Sequence, residues 1–395
     1  MLKMSTKPKV AITHDYLNAY GGAESVANAI WELYPDAPIY TALYDSKAFA
    51  GTDAFKGADI RCPRLAKHPL MHKFYKYLVP LYPLLFERLD LSSYDIVISS
   101  SANFAKGVRT RKEQLHISYI HTPPRFLYGY PTETSKRDIW YWKPVLKCVD
   151  FFLRKWDQEA AKRPDFLLCN SKEVQQRIRK FYKREAKIIP PFFSLCKKYE
   201  KSPAEMGGYY LIITRMSLYK NPDKVILACK ELGKDLKVAG GGKELERFRK
   251  IVENAPFSEG KIEVLGFVSE ERKAALLNGC RAFIYPVEYE DFGMAPLEAM
   301  HFGKPAMVLN QGGFKDYFVD GYNGVFIESP TVDGVKKAIE RFEVLEKKVN
   351  WEKNCKETAG GYTRERFQDE LGTYVNRKWG EFKEIRAVNP NFLGV

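Results

Sequence analysis

Residues 290–298 read Glu-Asp-Phe-Gly-Met-Ala-Pro-Leu-Glu and directly follow an apolar run at residues 282–287. The apolar run predicts a buried strand, and the residues that follow the loop predict a helix that ends at Gly303. Glu290 is therefore expected in a strand-to-helix loop, with Glu298 about two turns into the helix. Free N–H groups at a helix start bind anions, and carboxylates bind hydroxyl groups. The stretch predicts a site for a diphosphate that is flanked by two sugars, as in a nucleotide-sugar.

Length and composition are those of a globular protein with two domains. The chain has 395 residues, of which 45% are hydrophobic and 28% are charged. It contains no apolar run of about 18 residues, so we expect no transmembrane helix, and no secretory signal is apparent at the N-terminus. The seven cysteines are scattered without a Cys-x-x-Cys pair. This usage predicts reduced thiols in a cytoplasmic protein, with neither disulfides nor a metal site.

The positive charge is concentrated in the first half of the chain. The net charge is +14, and residues 1–200 carry 33 Lys and Arg against 20 Asp and Glu, whereas residues 201–395 carry 30 against 29. A basic half predicts an anionic partner, which leaves nucleic acid, an acidic membrane surface and a phosphorylated acceptor as candidates.

Short apolar strands alternate with helices along the whole chain, which predicts parallel βαβ units. The pattern restarts after a polar, turn-rich stretch at about 190–208. We therefore predict an α/β protein with two doubly wound, Rossmann-like domains and an interdomain cleft that binds ligand. The predicted boundaries are 1–195 for the first domain and 196–363 for the second, with a C-terminal helix and tail at 364–395 that packs back toward the first.

Further candidate groups follow predicted strands, whose ends face the ligand crevice in such sheets. Arg215 and Lys220 follow one strand, and two cations there can neutralise a diphosphate. Gly266, Phe267 and Val268 follow another strand and can present backbone groups to a base. Gly21 and Gly22 form the first strand-to-helix turn, where the backbone can approach a phosphate closely.

In their order along the chain, these motifs resemble the retaining nucleotide-sugar glycosyltransferases of family 4, which have the GT-B fold. The resemblance extends from about residue 9 to about residue 370, and the motifs that carry it are Gly-Gly-Ala-Glu at 21–24, His-Thr-Pro-Pro-Arg at 121–125, Asn-Ser at 170–171, Arg215 with Lys220 and Asn221, Gly-Gly-Gly-Lys-Glu-Leu at 240–245, Gly-Phe-Val at 266–268, Glu290 with Glu298, and Gly-Gly at 312–313. Residues 91–125 are similar to one branch, the mannosyltransferases of O-antigen-type polysaccharide assembly. This branch implies a hexosyltransferase that uses GDP-mannose.

The resemblance also implies roles for individual residues. Arg215 and Lys220 would hold the donor diphosphate, and Glu298 would accept hydrogen bonds from the ribose. Glu290 and His121 would contact the reacting sugar. The remaining implied contacts are Phe292, Gly293 and Met294 as backbone donors to the phosphates, Gly21 and Gly22 facing them from the first domain, Gly266, Phe267 and Val268 at the base, and Arg125 and Lys172 at the acceptor.

The resemblance implies a front-face mechanism in which the leaving phosphate deprotonates the acceptor hydroxyl. We expect no cofactor and no metal, because the sequence has no Asp-x-Asp motif after an apolar strand. The expected partners are the nucleotide-sugar and a lipid-linked or glycan acceptor. Residues 68–86 mix cations with aromatic residues and predict peripheral contact with an acidic membrane surface on the cytoplasmic side, although two short helices covering their own core would have the same composition.

Three alternatives remain open at this stage. The same fold can use a UDP-sugar such as UDP-N-acetylglucosamine or UDP-glucose, because the base would be contacted through backbone groups near Phe267. A nucleic-acid-binding protein is disfavoured, since no recognised module is present. A nicotinamide dehydrogenase is also disfavoured, because the first turn lacks the third glycine of a Gly-x-Gly-x-x-Gly motif. The acceptor, the linkage and the oligomeric state are left undetermined.

Overall fold

The structure, a computed structural model, describes residues 7–50, 52–67, 74–132, 143–193, 195, 199, 203–205, 207–254 and 259–388. The chain divides into two compact units. The first unit contains residues 1–190 and 364–395, and the second contains residues 191–363. The C-terminal helix therefore belongs to the first unit, where it contacts the first helix of the chain and a central strand.

The first unit is a parallel sheet with helices packed against it. Its strands run in the order β3-β2-β1-β4-β5-β6-β7 across the sheet. They are β1 (Val10–His14), β2 (Ile39–Thr41), β3 (Ile60–Arg61), β4 (Ile96–Ser101), β5 (Leu115–Ile120), β6 (Phe166–Cys169) and β7 (Lys187–Ile188). The α-helices among the described residues of this unit are α1 (Gly22–Leu33), α2 (Tyr82–Glu87), α3 (Lys143–Ala160), α4 (Lys172–Tyr182) and, at the end of the chain, α11 (Arg364–Val388).

The second unit repeats this architecture with a parallel sheet in the order β10-β9-β8-β11-β12-β13. The strands are β8 (Tyr210–Ile213), β9 (Leu236–Ala239), β10 (Ile262–Gly266), β11 (Ala282–Tyr285), β12 (Ala306–Leu309) and β13 (Gly324–Ile327). The helices among its described residues are α5 (Pro222–Glu231), α6 (Leu245–Asn254), α7 (Glu270–Gly279), α8 (Met294–His301), α9 (Val332–Leu345) and α10 (Trp351–Gly360).

Alternating strand residues of the second unit enter two separate apolar cores. Leu211 and Phe283 belong to one buried cluster, whereas their neighbours Ile212 and Ile284 belong to the other. Because successive side chains of a strand point to opposite faces, both faces of this sheet are covered. Strands such as β11 and β12 are uninterrupted apolar runs in the sequence because both of their faces are buried.

The sequence prediction and the structure differ at several elements. Glu298 lies one turn into α8, because the helix begins at Met294; the prediction of two turns was wrong. Helices α3, α9 and α10 were not predicted, because polar residues interrupt their apolar pattern.

Among the described residues, no helix combines the length and the apolar character needed to cross a membrane. Of the segment predicted to contact a membrane, residues 68–73 lie outside the described residues. Residues Tyr75–Leu81 form a 3₁₀ helix that continues into α2.

Candidate functional site

Both sheets have a topological switch point, where neighbouring strands connect to helices in opposite directions along the sheet. In the first unit it lies between β1 and β4, and in the second between β8 and β11. Ligands of open parallel sheets bind beyond the carboxyl ends of the strands at such points. We use "first switch point" for the loops after β1, β4 and β5, and "second switch point" for the loops after β8 and β11.

A partly buried ion pair joins the two loops of the second switch point. Lys220 follows β8, and its Nζ lies 3.0 Å from Oε2 of Glu290, which follows β11. The same Nζ donates to the Tyr285 hydroxyl at 3.3 Å. Burial alone would lower the pKa of Lys220, but the Glu290 carboxylate outweighs it and the pKa is raised. Two predicted site residues, 70 positions apart in the chain, are thus in contact, and the lysine carries its charge.

Backbone contacts hold the Glu290 loop against a second glycine-containing turn. The N–H of Gly313 donates to the carbonyl of Glu290 at 3.0 Å. Gly312 has φ +70°, and a Cβ there would lie 2.6 Å from the same carbonyl oxygen. Since a larger residue would displace the loop, the glycine pair after β12 positions the Glu290 backbone.

The start of α8 presents backbone donors without a side-chain cap. Gly293 occupies the N-cap position with φ +89° and, as a glycine, makes no side-chain cap bond to the first turn. A Cβ at Gly293 would meet the Phe314 ring at 2.3 Å, so only glycine fits. Phe292 is buried, whereas Met294 is half-buried. Uncapped N–H groups at a helix start attract anions, so this geometry suits the phosphate role predicted for residues 292–294.

Glu298 is buried and paired with a lysine that the sequence analysis overlooked. Nζ of Lys273, on α7, lies 3.4 Å from both carboxylate oxygens of Glu298 and 2.8 Å from Glu270. Burial opposes the charge of Lys273, yet Glu298 and then Glu270 raise its pKa. Glu298 is therefore a carboxylate held by a cation.

The other residues predicted to bind the donor also follow strand ends of the second sheet. Arg215 is exposed in the loop between β8 and Lys220. Gly266 ends β10 with φ +71°. Phe267 next to it is 86% exposed, and Val268 is half-buried. The strand order separates the position of Phe267 from that of Lys220 by β9, so cationic and aromatic groups occupy different parts of one sheet edge.

The first switch point contains a buried chain of two imidazoles and one hydroxyl. Ser100 Oγ lies 2.8 Å from His121 Nε2 and 3.0 Å from His14 Nδ1. Ser100 is in β4, His14 ends β1, and His121 follows β5, so three neighbouring strands place these groups together. Burial, with a smaller contribution from His14, lowers the pKa of His121 to about 3. His121 is therefore neutral across the physiological range.

Gly21 and Gly22 begin α1, as the sequence predicts for a turn after the first strand. Gly21 is the N-cap, and the start of the helix has no side-chain cap bond. Glu24 in the first turn lies 3.8 Å from His14 Nε2, measured from its Oε1. A Cβ added to Gly21 would lie 3.1 Å from the Glu24 carboxylate, so that carboxylate folds back over the turn.

Asp15 fixes the loop that follows Ser100. Its carboxylate accepts four backbone N–H groups, those of residues 102–105, at 2.6–2.8 Å. Four backbone hydrogen bonds to one buried side chain fix the geometry of this loop. This anchoring role was not foreseen, although an aspartate after a buried strand is a visible signal.

The residues predicted to bind the acceptor lie on separate elements of the first unit. Arg125 is half-buried in the turn after β5, and Lys172 is exposed at the first position of α4. The helix is capped by Ser171, whose Oγ accepts from Val174 at 3.1 Å. Asn170 donates to the His121 carbonyl at 2.9 Å, which connects the start of α4 to the first switch point.

Sequence reasoning missed His14, Ser100, Asp15, Tyr285 and Lys273. His14 and Asp15 could have been found from their position after the first strand. No sequence signal separates Ser100 from the neighbouring serines, because only the strand register decides which one faces His121. The sequence does not distinguish Lys273 from other lysines of a charged helix, because its contact with Glu298 depends on the packing of α7 beside α8.

Comparison with known proteins places these features in context. Residues 197–359 match the model of a family described as glycosyl transferases group 1. An uncharacterized glycosyltransferase of Methanocaldococcus jannaschii is 26% identical over 208 residues, which cover 49% of this chain and 58% of that protein. An alpha-1,3/1,6-mannosyltransferase of Dictyostelium discoideum is 37% identical over 83 residues, or 21% of this chain and 20% of that protein. The chain thus spans less than two thirds of either relative.

The fold has close counterparts among solved structures. The structure of Anabaena HepE in complex with UDP and glucose superimposes with a TM-score of 0.67 at 15% identity, covering 94% of this chain and 100% of that one. At this identity the likeness concerns the fold, and it confirms the predicted GT-B class with two Rossmann-like units. The family match and the relatives support the glycosyltransferase family and the class of enzyme that the sequence predicts.

Proposed function

We propose that this chain, whose residues 197–359 match the model of the group 1 glycosyl transferases, transfers mannose from GDP-mannose to a lipid-linked or glycan acceptor in cell-surface polysaccharide or glycolipid assembly. The observation that carries the proposal is the second switch point, where Lys220 contacts Glu290 and Lys273 contacts Glu298 on either side of an uncapped helix start. A phosphate requires N–H donors and cations, whereas sugars require carboxylate acceptors, and this arrangement supplies both.

Each group has a role in the proposed donor complex. Arg215, Lys220 and the N–H groups at the start of α8 hold the diphosphate. Glu298 accepts hydrogen bonds from the ribose hydroxyls, and Glu290 accepts them from the transferred sugar. Gly266, Phe267 and Val268 surround the base. The Dictyostelium relative is named an alpha-1,3/1,6-mannosyltransferase, which supports mannose as the sugar.

In the proposed reaction, the bond between the sugar C1 and the diphosphate oxygen breaks, and its electron pair leaves with the diphosphate. The acceptor hydroxyl oxygen forms the new bond to C1 on the same face, and its proton passes to the leaving phosphate. The protein must stabilise the charge that grows on the diphosphate, for which two cations and a helix start suffice without a metal. In the first unit, His121 is proposed to bind a sugar hydroxyl.

Titration calorimetry of the full chain with GDP and UDP, without added metal, tests the donor. We expect GDP to bind, and Glu298→Ala to weaken binding by about tenfold to a hundredfold, the scale of a hydrogen bond to a charged group. Glu271→Ala, an exposed glutamate on α7, is the matched control and should bind GDP like the wild type. Preference for UDP would replace the proposed base, and binding of neither nucleotide would overturn the proposed function.

We also propose that the first unit contacts an acidic membrane surface around residues 74–86. Tyr77 is 62% exposed and Leu81 58%, and on α3 Phe152 is 64% exposed. Exposed aromatic and aliphatic side chains beside lysines are typical of interfacial segments. Sedimentation with acidic vesicles at low salt should capture the protein, and the double change Tyr77→Ser with Leu81→Ser should release it. Val344→Ser, a change at an equally exposed residue of α9, should leave the protein bound to the vesicles. Wild-type protein that stays in the supernatant would contradict the proposal.

A further inference from the structure

We propose that Glu24 acts as a positioning residue which, through His14 and Ser100, selects the tautomer of His121 whose Nδ1 accepts a hydrogen bond. The starting observation is the chain of contacts from His121 Nε2 to Ser100 Oγ at 2.8 Å and on to His14 Nδ1 at 3.0 Å. Ser100 and His14 are buried, and the other nitrogen of His14 lies 3.8 Å from the Glu24 carboxylate.

A single hydroxyl between two imidazoles couples their protonation. The Ser100 hydroxyl has one hydrogen, so it donates to one ring nitrogen and accepts from the other. With both imidazoles neutral, either both rings carry their protons on Nε2 or both carry them on Nδ1. The tautomer of one histidine therefore sets that of the other.

Glu24 distinguishes the two arrangements. A carboxylate is an acceptor only, and its charge favours a proton on the nitrogen that faces it. Glu24 faces His14 Nε2, so the proton of His14 lies there, and His14 Nδ1 accepts from Ser100. The Ser100 oxygen then accepts from His121 Nε2–H, which leaves Nδ1 of His121 as the acceptor. Nδ1 has no hydrogen-bond partner in the part of the chain that the structure describes.

The consequence for the reaction rests on the proposed function, whereas the tautomer itself does not. With Nδ1 as an acceptor, His121 binds a hydroxyl by accepting its hydrogen, so the hydroxyl oxygen becomes more electron-rich. The opposite tautomer would donate instead. Glu24 thus controls which hydroxyl groups His121 can bind, although it touches neither His121 nor the sugar in this arrangement.

Nitrogen NMR of the full chain labelled with ¹⁵N-histidine tests the inference, with the His121 signals identified by their loss in His121→Asn. In the wild type we expect the proton of His121 on Nε2. Replacing Glu24 by methionine keeps the side-chain length and removes the charge. The ratio of the Nε2-protonated to the Nδ1-protonated tautomer of His121 should then fall by roughly tenfold, the scale of a hydrogen bond to a charged group. Ser100→Ala should uncouple His121 from His14.

Ser99→Ala is the matched control, because Ser99 Oγ contacts His116 Nε2 at 2.9 Å in the same strand. It should move only the His116 signals. A wild-type His121 protonated on Nδ1, or a tautomer ratio that Glu24→Met leaves unchanged, would overturn the inference regardless of the transfer activity that is measured. In the transfer assay, Glu24→Met should lower kcat while the Kd for GDP stays constant. Absence of transfer by the wild type would instead count against the proposed function.

Discussion

The two switch points share a topology and differ in their chemistry. Each lies where a parallel sheet reverses its winding, after the first strand of its unit. The second presents charges in pairs, Lys220 with Glu290 and Lys273 with Glu298. The first presents a buried hydrogen-bonded chain from His121 through Ser100 to His14.

The difference shows that the fold supplies the location and the side chains supply the function. Paired charges keep Lys220 ionised in a partly buried place, where an anionic ligand can later compete for it. Burial keeps His121 neutral, so hydrogen bonds rather than charge determine what it binds. The second switch point therefore suits a charged ligand group, and the first suits an uncharged hydroxyl.

The largest expected effect comes from removing the cation of the second switch point. Lys220→Met should lower the rate of sugar transfer by about 10²–10³-fold, as the loss of a group that stabilises growing charge does. It also leaves Glu290 without this partner, which adds repulsion toward a diphosphate. Steady-state assays with the proposed donor measure the effect.

Lys224→Met provides the control for this change. Lys224 is four residues further on, more exposed, and paired with Asp223 at 3.0 Å. Its loss should leave the transfer rate within about twofold, because exposed ion pairs contribute little. Equal effects of the two substitutions would mean that Lys220 has no special place in the site.

An intermediate effect concerns pH and the first unit, where burial lowers the pKa of His116 to about 3 from an ordinary value of 6.5. Below pH 6.5 the unfolded chain binds a proton that the folded chain does not, so stability falls as the pH decreases. Between pH 6.5 and pH 5 this histidine should cost about 2 kcal/mol of unfolding free energy.

Urea unfolding of the wild type and of His116→Asn at both pH values measures this contribution. The variant should be less stable near pH 7, and its disadvantage should shrink by about 2 kcal/mol at pH 5. If the two proteins lost the same stability on acidification, His116 would be accessible to protons in the folded state and the contrast between the two regions would be weaker than stated.

The smallest expected effect tests the pairing of Lys273 with Glu298. Lys273→Met should weaken GDP binding by roughly threefold to tenfold, because Glu298 loses the cation that orients it. The same substitution should hardly affect the 2′,3′-dideoxy analogue, which lacks the hydroxyls that Glu298 is proposed to bind. Calorimetry with both ligands measures the difference, and equal weakening of both would assign Lys273 a general electrostatic role.

Much of the fold could be predicted from the sequence, because buried parallel strands are continuous apolar runs. The run predicted at 282–287 is an example, since its residues 282–285 form β11. Helices α3 and α9 escaped prediction because charged residues interrupt their apolar pattern. The start of α8 was also misjudged, since it depends on the left-handed conformation of Gly293.

The candidate site was predictable only where residues follow strand ends in recognisable order. That rule gives Lys220 and Glu290, which the structure brings into contact. It does not give Ser100 or Lys273, since these become neighbours of His121 and Glu298 only through strand register and helix packing. Distances within the site are tertiary properties, and local sequence patterns carry little information about them.

Hydrogen exchange of the full chain, with and without saturating GDP, tests the central claim that the second switch point binds the nucleotide. We predict increased protection of backbone amides in residues 215–221, 266–268 and 290–298. Protection confined to other segments, such as the basic surface of the first unit, would contradict the account.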